Sequence, residues 1–208
     1  MHALKHEREA QVDGRRARSL RTRRAIVDAL LDLVEDGELE PTAAQIAARA
    51  GIAVRSIGQH FPSREALFLA AVEAHTKRVA PAPLSVSPSM SLRERIAIFA
   101  EVRGRELEAT APIRRASAFL DAAPRPARAA SAIGRATDAA WARRRDELSL
   151  MFARELKGSN DRKALLDALD VLAHGRTWDT MRNALRISPA EATTLLRRTL
   201  TSLLTHGL

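Results

Sequence analysis

Apolar residues recur every three or four positions along nearly the whole chain, and no segment alternates apolar and polar residues long enough to make a strand. The first amphipathic run places Ile26, Leu30, Leu33 and Val34 at i, i+4, i+7 and i+8. It predicts a helix from about Ser19 to Asp36, capped by Ser19 and stopped by Gly37. After the link Glu38–Pro41, Thr42-Ala43-Ala44-Gln45 has the pattern of a capping box, and a short helix follows to Ala50. Gly51 supplies the positive φ of an abrupt turn. A second short helix covers about Val54 to His60 before Phe61-Pro62 breaks it, and Ser63 caps a longer one reaching about Val79.

Residues 80–90 are rich in Pro and Ser and cannot sustain a helix, so they read as a linker between two units. Ser91 to Glu94 opens a helix to about Ala109, and Pro112 starts another that ends near Ala123. Pro124 and Pro126 introduce a long helix to about Lys157, stopped by Gly158-Ser159-Asn160. The last two helices are the best patterned. One covers about Asp161 to Arg186, with Leu165, Leu169 and Leu172 on one stripe. The other opens at Ser188-Pro189-Ala190-Glu191, with a capping Ser, Pro at the first helical position and Glu three residues on. The pattern thus predicts an all-α chain of about nine helices. Residues 1–18 form a basic arm, expected to be flexible, 19–79 a first domain, 80–90 the linker and 91–208 a helical bundle.

Composition narrows the function classes. The 208 residues contain no cysteine, which excludes a disulfide framework, a thiolate metal site and a cysteine nucleophile. No apolar run is long enough for a membrane span, and the charged N-terminus lacks an export signal's apolar segment, so a cytoplasmic protein is expected. Aromatic residues make up only 3% and Tyr is absent, which argues against base-stacking platforms for single strands. The net charge is +9, but only four of the 34 basic residues are Lys, and an Arg-rich coding bias accounts for such an excess as readily as an anionic partner does. The distribution says more than the sum. Residues 1–24 carry eight basic groups against three acidic ones, and residues 25–40 carry six acidic groups and no basic one. The cluster Arg15–Arg24 suits an arm or added phosphate contacts, or else a solvated tail.

The segment Ala43–Pro62 carries the functional signal. Ala47, Gly51 and Ile57 have the spacing that a helix-turn-helix requires: a small residue where the helices cross, a glycine at the turn, and an apolar pin for the second helix. Val54, Arg55, Ser56 and Gln59 then project from that second helix toward a major groove, where each base pair has a distinct donor and acceptor pattern. An Ala-rich helical hairpin without DNA-binding function can imitate this spacing.

Thr42, Ile46, Ala47, Ala50, Gly51, Ile57, His60, Phe61, Ser63, Glu65, Ala66 and Leu67 together resemble the TetR family of bacterial transcriptional regulators over about residues 19–75. The resemblance implies a homodimer that binds a palindromic double-stranded DNA operator, most often as a repressor, and is released by a small effector in the helical domain. It also implies that Thr42, His60 and Arg64 contact the DNA backbone, although His60 can instead pack beside Phe61. Two positions depart from the family pattern: Gly58 stands where a Tyr is usual, and Ala53 where a capping Ser or Thr is usual. Both weaken the recognition helix or its DNA contacts.

In the second unit, Phe99, Phe119, Trp141, Phe152, His174, Trp178 and Met181 are the candidates for a pocket between helices that takes a hydrophobic or amphipathic effector. Plain core packing is the more ordinary explanation of each. Arg103, Asp121 and His174 are available to orient a polar group. The family's dimer contact implies an interface through residues 161–206. No nucleophile, phosphate-loop, dinucleotide or metal pattern appears, so neither an enzyme nor a cofactor is expected. The first alternative is a constitutive DNA-binding or architectural protein without an effector, which a solid bundle core would favour, and the second, a helical enzyme or carrier, lacks any paired catalytic constellation.

Overall fold

The structure, a computed structural model, describes residues 2–79, 87, 89–118 and 132–206. Among them all regular structure is helical. Helix α1 (His2–Glu35) is much longer than its apolar pattern predicts, and Ser19 lies inside it instead of capping it. From Gly14 onward only the C-terminal part of α1 is buried, with Ile26, Leu30 and Val34 facing inward. The helix ends where Gly37 takes φ +97 and the amides of Gly37 and Glu38 turn back onto the Val34 and Leu33 carbonyls. Helices α2 (Ala43–Ala50), α3 (Val54–His60) and α4 (Arg64–Val79) fall at their predicted places. With the end of α1 they enclose a first core that includes Ile46, Phe61, Leu67 and Phe68.

Helix α5 (Leu92–Ala118) corrects the expectation of two helices divided at Pro112, because the proline sits inside one continuous element. A proline in mid-helix removes one backbone bond and costs roughly 3 kcal/mol or more. The helix continues because its two ends are buried in different cores. Ile96, Phe99 and Ala100 belong to the bundle core, whereas Ile113 and Ala116 complete the core of the first unit. Packing on both sides outweighs the local propensity. Candidates Phe119 and Asp121 lie outside the described residues.

Helix α6 (Ala132–Met151) gives way at Phe152 to the short α7 (Ala153–Gly158), where a single helix to Lys157 was expected. Arg95 explains the break. Its Nη1 donates to the Met151 carbonyl at 2.6 Å, and its guanidinium grips both Glu155 oxygens, so a side chain from α5 takes over part of the backbone bonding. The predicted helix over 161–186 is also divided. Helix α8 (Arg162–Leu172) is capped by Asp161, and α9 (Gly175–Asp179) follows, capped by the His174 ring. A π-helical turn, Thr180–Ala184, then leads to Arg186 at φ 54. Here Arg103 Nε binds the Ala173 carbonyl at 3.0 Å and Thr177 Oγ1 the Val171 carbonyl at 2.6 Å, diverting acceptors from a continuous ladder. Helix α10 (Pro189–His206) opens on the predicted Ser188–Glu191 box. It crosses α5 closely at Gly104, where a Cβ would stand 2.5 Å from Thr193 Oγ1 and 3.2 Å from the Trp178 ring.

Candidate nucleic-acid interface

Local bonding fixes the angle between α2 and α3. At the start of α2, Gln45 N–H donates to Thr42 Oγ1 at 3.2 Å and Thr42 N–H donates to Gln45 Oε1 at 2.8 Å, completing the capping box read from the sequence. At its end, Gly51 takes φ +66, its amide bonds to Ala48 and that of Ile52 to Ala47. This is a Schellman stop, and it needs a residue that tolerates positive φ. Ile46 and Ala47 are buried and Ile57 is half-buried against the same core, as the helix-turn-helix spacing requires.

With Ile57 held inward, the opposite side of α3 is open. Val54 is 51% exposed, Arg55 and Gln59 are exposed, and Ser56 is half-buried. Thr42 and Arg64 are exposed at the starts of α2 and α4, with the Arg64 guanidinium 5.4 Å from the centre of the Phe68 ring. His60 is half-buried at the end of α3, and its carbonyl accepts from Arg23 Nη1 at 2.7 Å. The same Arg23 guanidinium lies 4.1 Å over the ring of buried Phe61. This clamp from α1 onto the end of α3 has no sequence signature, since 37 residues separate its partners. Ala53 is the first residue before α3 and makes no side-chain cap. Gly58 is exposed, and a Cβ there would meet nothing within 4 Å, so the space above it is open.

The candidates in the second unit separate into two groups. Phe99 and Phe152 meet edge to face with ring centres 5.7 Å apart inside the bundle core, and Trp178 and Met181 are buried with Leu107 and Ala192. Trp141, by contrast, is 41% exposed and lies against the His174 ring, centre to centre 4.6 Å. Around this pair a charged network closes the seam between α5, α6 and the α8–α9 break. Arg144 Nε binds Asp170 at 2.8 Å, and Arg103 binds Glu106 at 2.5 Å. Arg144 Nη2 is buried 2.7 Å from the same Asp170 oxygen, yet poorly aligned for a hydrogen bond. Burial, and then the nearby Arg144 and Arg176, push the His174 imidazole down to about 4. It is neutral at pH 7, with Nδ1 accepting from Arg176 N–H at 3.2 Å. The Arg144–Asp170 pair was missed in the sequence because buried ion pairs between distant helices leave no periodic trace.

Fold and surface together define a helix-turn-helix DNA-binding domain followed by a helical bundle. Residues 26–71 match the family model of the bacterial regulatory proteins of the tetR family. The first unit is therefore a TetR-family DNA-binding domain, and the chain that carries it is a DNA-binding transcription regulator. Neither curated proteins nor solved structures give a match. Among the described residues, no helix is long and apolar enough to cross a membrane.

Proposed function

We propose that this chain is a ligand-responsive repressor that binds a palindromic operator as a homodimer and leaves it when a small effector occupies the bundle. The observation that carries the DNA half is the open face of α3. Arg55 and Gln59 are exposed on a helix pinned from behind by Ile57, and both side chains suit major-groove edges, arginine for guanine and glutamine for adenine. Thr42, Val54, Ser56, His60 and Arg64 frame that face and supply backbone and methyl contacts.

The response to an effector rests on α5, one continuous helix that contributes residues to the cores of both units. A shift of α5 caused by a ligand in the bundle must repack Ile113 and Ala116 against the DNA-binding helices, which changes the spacing of the two recognition helices in a dimer. The exposed Trp141 beside neutral His174 suits an aromatic or apolar body, and the adjoining Arg103 and Arg144 suit its polar end. For the dimer, Val171, Leu185 and Leu195 are exposed apolar residues within 161–206, the material of a two-fold contact. One observation favours a second reading, a regulator without an effector. Phe99, Phe152, Trp178 and Met181 are buried against neighbouring side chains as ordinary core.

The deciding experiment is selection of bound sequences from random duplex DNA, followed by a thermal-shift screen and operator titration with each hit. Enrichment of a palindrome supports the dimeric regulator. An asymmetric site removes the dimer, and hits that stabilise the protein without weakening operator binding leave the effector-free reading.

A further inference from the structure

The stretch of α1 from Gly14 to Arg21 is exposed and contributes nothing to the core. Every residue from Gly14 to Arg24 except Thr22 is exposed, and Arg15, Arg16, Arg18 and Arg21 stand within about 9 Å of helix axis. Of the acidic groups that follow them, Asp28 pairs with Arg24 and Arg78, and Asp36 with Arg49 at 2.8 Å. Arg15, Arg16, Arg18 and Arg21 have no acidic partner among the described residues. Arg15, Arg18 and Arg21 follow one another at i, i+3 spacing, an arrangement of like charges that weakens a helix unless anions lie along it. The stripe is also continuous with the recognition surface, because Arg23 ties it to the end of α3 at His60 and Phe61.

We infer that this stretch of α1 is a second DNA-contacting surface, which lays Arg15, Arg16, Arg18 and Arg21 on phosphates flanking the sequence read by α3. The contact is electrostatic and indifferent to base identity. A duplex is the partner that fits, since it offers anions at close regular spacing beside a helix already clamped to the recognition element. An anionic membrane fits less well, because Leu20 is the one large apolar residue among the exposed positions and a surface-lying helix needs an apolar face. The inference rests on the DNA-binding reading, and its test separates the two.

The full-length chain and its R15Q/R16Q/R18Q/R21Q variant are titrated over a range of salt onto a mixed-sequence duplex of about four helical turns and onto the selected operator. Arg and Gln have similar helix propensity and the four side chains are exposed, so the variant keeps the fold, checked by circular dichroism and melting. The pairs R15Q/R16Q and R18Q/R21Q serve as milder changes. The expected result on the mixed duplex is a loss of about tenfold or more, with the salt slope reduced by roughly 0.9 per contact removed. Each pair gives about half that slope change, and base preference on the operator stays as it was. An unchanged slope overturns the inference, as does loss of binding to phosphatidylserine vesicles with duplex binding intact. If random DNA yields no preferred sequence, sequence reading by α3 fails while the mixed-duplex comparison still decides the arm.

Discussion

His75 Nε2 donates to the Ala109 carbonyl at 2.9 Å, joining α4 of the DNA-binding unit to α5 three residues before the mid-helix Pro112. His75 is buried, and its Nδ1 faces Glu35 at 3.9 Å. Pro112 has no N–H, so the Glu108 carbonyl lacks its helical donor and α5 is least self-supporting at this level. The imidazole therefore fastens the two units where the shared helix is weakest.

His75→Ala removes the cross-helix donor together with the buried ring that carries it. The expected loss is about 0.5–1.5 kcal/mol, read as a lower urea midpoint with an unchanged slope. An unaltered midpoint would mean that the Ala109 carbonyl is satisfied within its own helix and that the joint is held by apolar packing alone.

The recognition helix offers the opposite case, a site where stability is left unused. Ala53 provides no cap, and Gly58 has open space where its Cβ would go. Ala53→Ser is expected to stabilise by about 0.5–2 kcal/mol, and Gly58→Ala by about 0.5–1 kcal/mol. Both changes should raise the melting temperature. If Gly58→Ala also weakens operator binding, the open space at Gly58 is occupied by DNA in the complex.

The short-range features of this fold were legible in the sequence because their signals lie within a few residues. The Thr42 and Ser188 capping boxes, the Gly51 turn and the inward Ile46, Ala47 and Ile57 all follow from local spacing. The misread boundaries are places where a distant side chain takes over the backbone. Arg95 reaches 56 residues to the Met151 carbonyl and Arg103 reaches 70 to that of Ala173, and no periodicity encodes either contact. Pro112 was read as a boundary for a sound local reason that burial at both ends of α5 overrides. Of the site, the face of α3 was legible, while its clamp by Arg23 and the Trp141–His174 contact depend on the tertiary fold.

Gly104 tests the close approach of α5 and α10. Gly104→Ala drives a methyl against Thr193 Oγ1, which already donates to the Pro189 carbonyl at 2.9 Å and cannot rotate away without losing that bond. A cost of about 1–3 kcal/mol is expected. Thr193→Ala removes the nearest obstacle, so a double-mutant cycle should return most of the loss, with a residue left by the Trp178 ring. Simple additivity of the two changes would show that α10 does not sit against Gly104 as described.

His174 gives the protein a pH dependence that runs counter to that of Glu147, whose carboxyl burial pushes up. The folded imidazole is held down to about 4 by burial and neighbouring arginines, against about 6.5 in an unfolded chain. Between these values the unfolded state binds the extra proton, so stability rises with pH. The contribution is complete above about 6.5 and is lost as pH falls toward 4. Protonation also removes the Nδ1 acceptor that caps α9 through Arg176 N–H. The carboxylates act at lower pH. Glu155 and Glu108 are held below the usual range by hydrogen bonds from Arg95 and Arg182, so their contributions persist until they protonate in stronger acid. Asn at position 174 keeps a capping acceptor without a titrating group. His174→Asn should therefore hold most of the stability at pH 7 and flatten the urea midpoint between pH 6.5 and 4, whereas His174→Ala should flatten it and lower it throughout. A slope that survives both substitutions would assign the window to another group and leave His174 with its capping role alone.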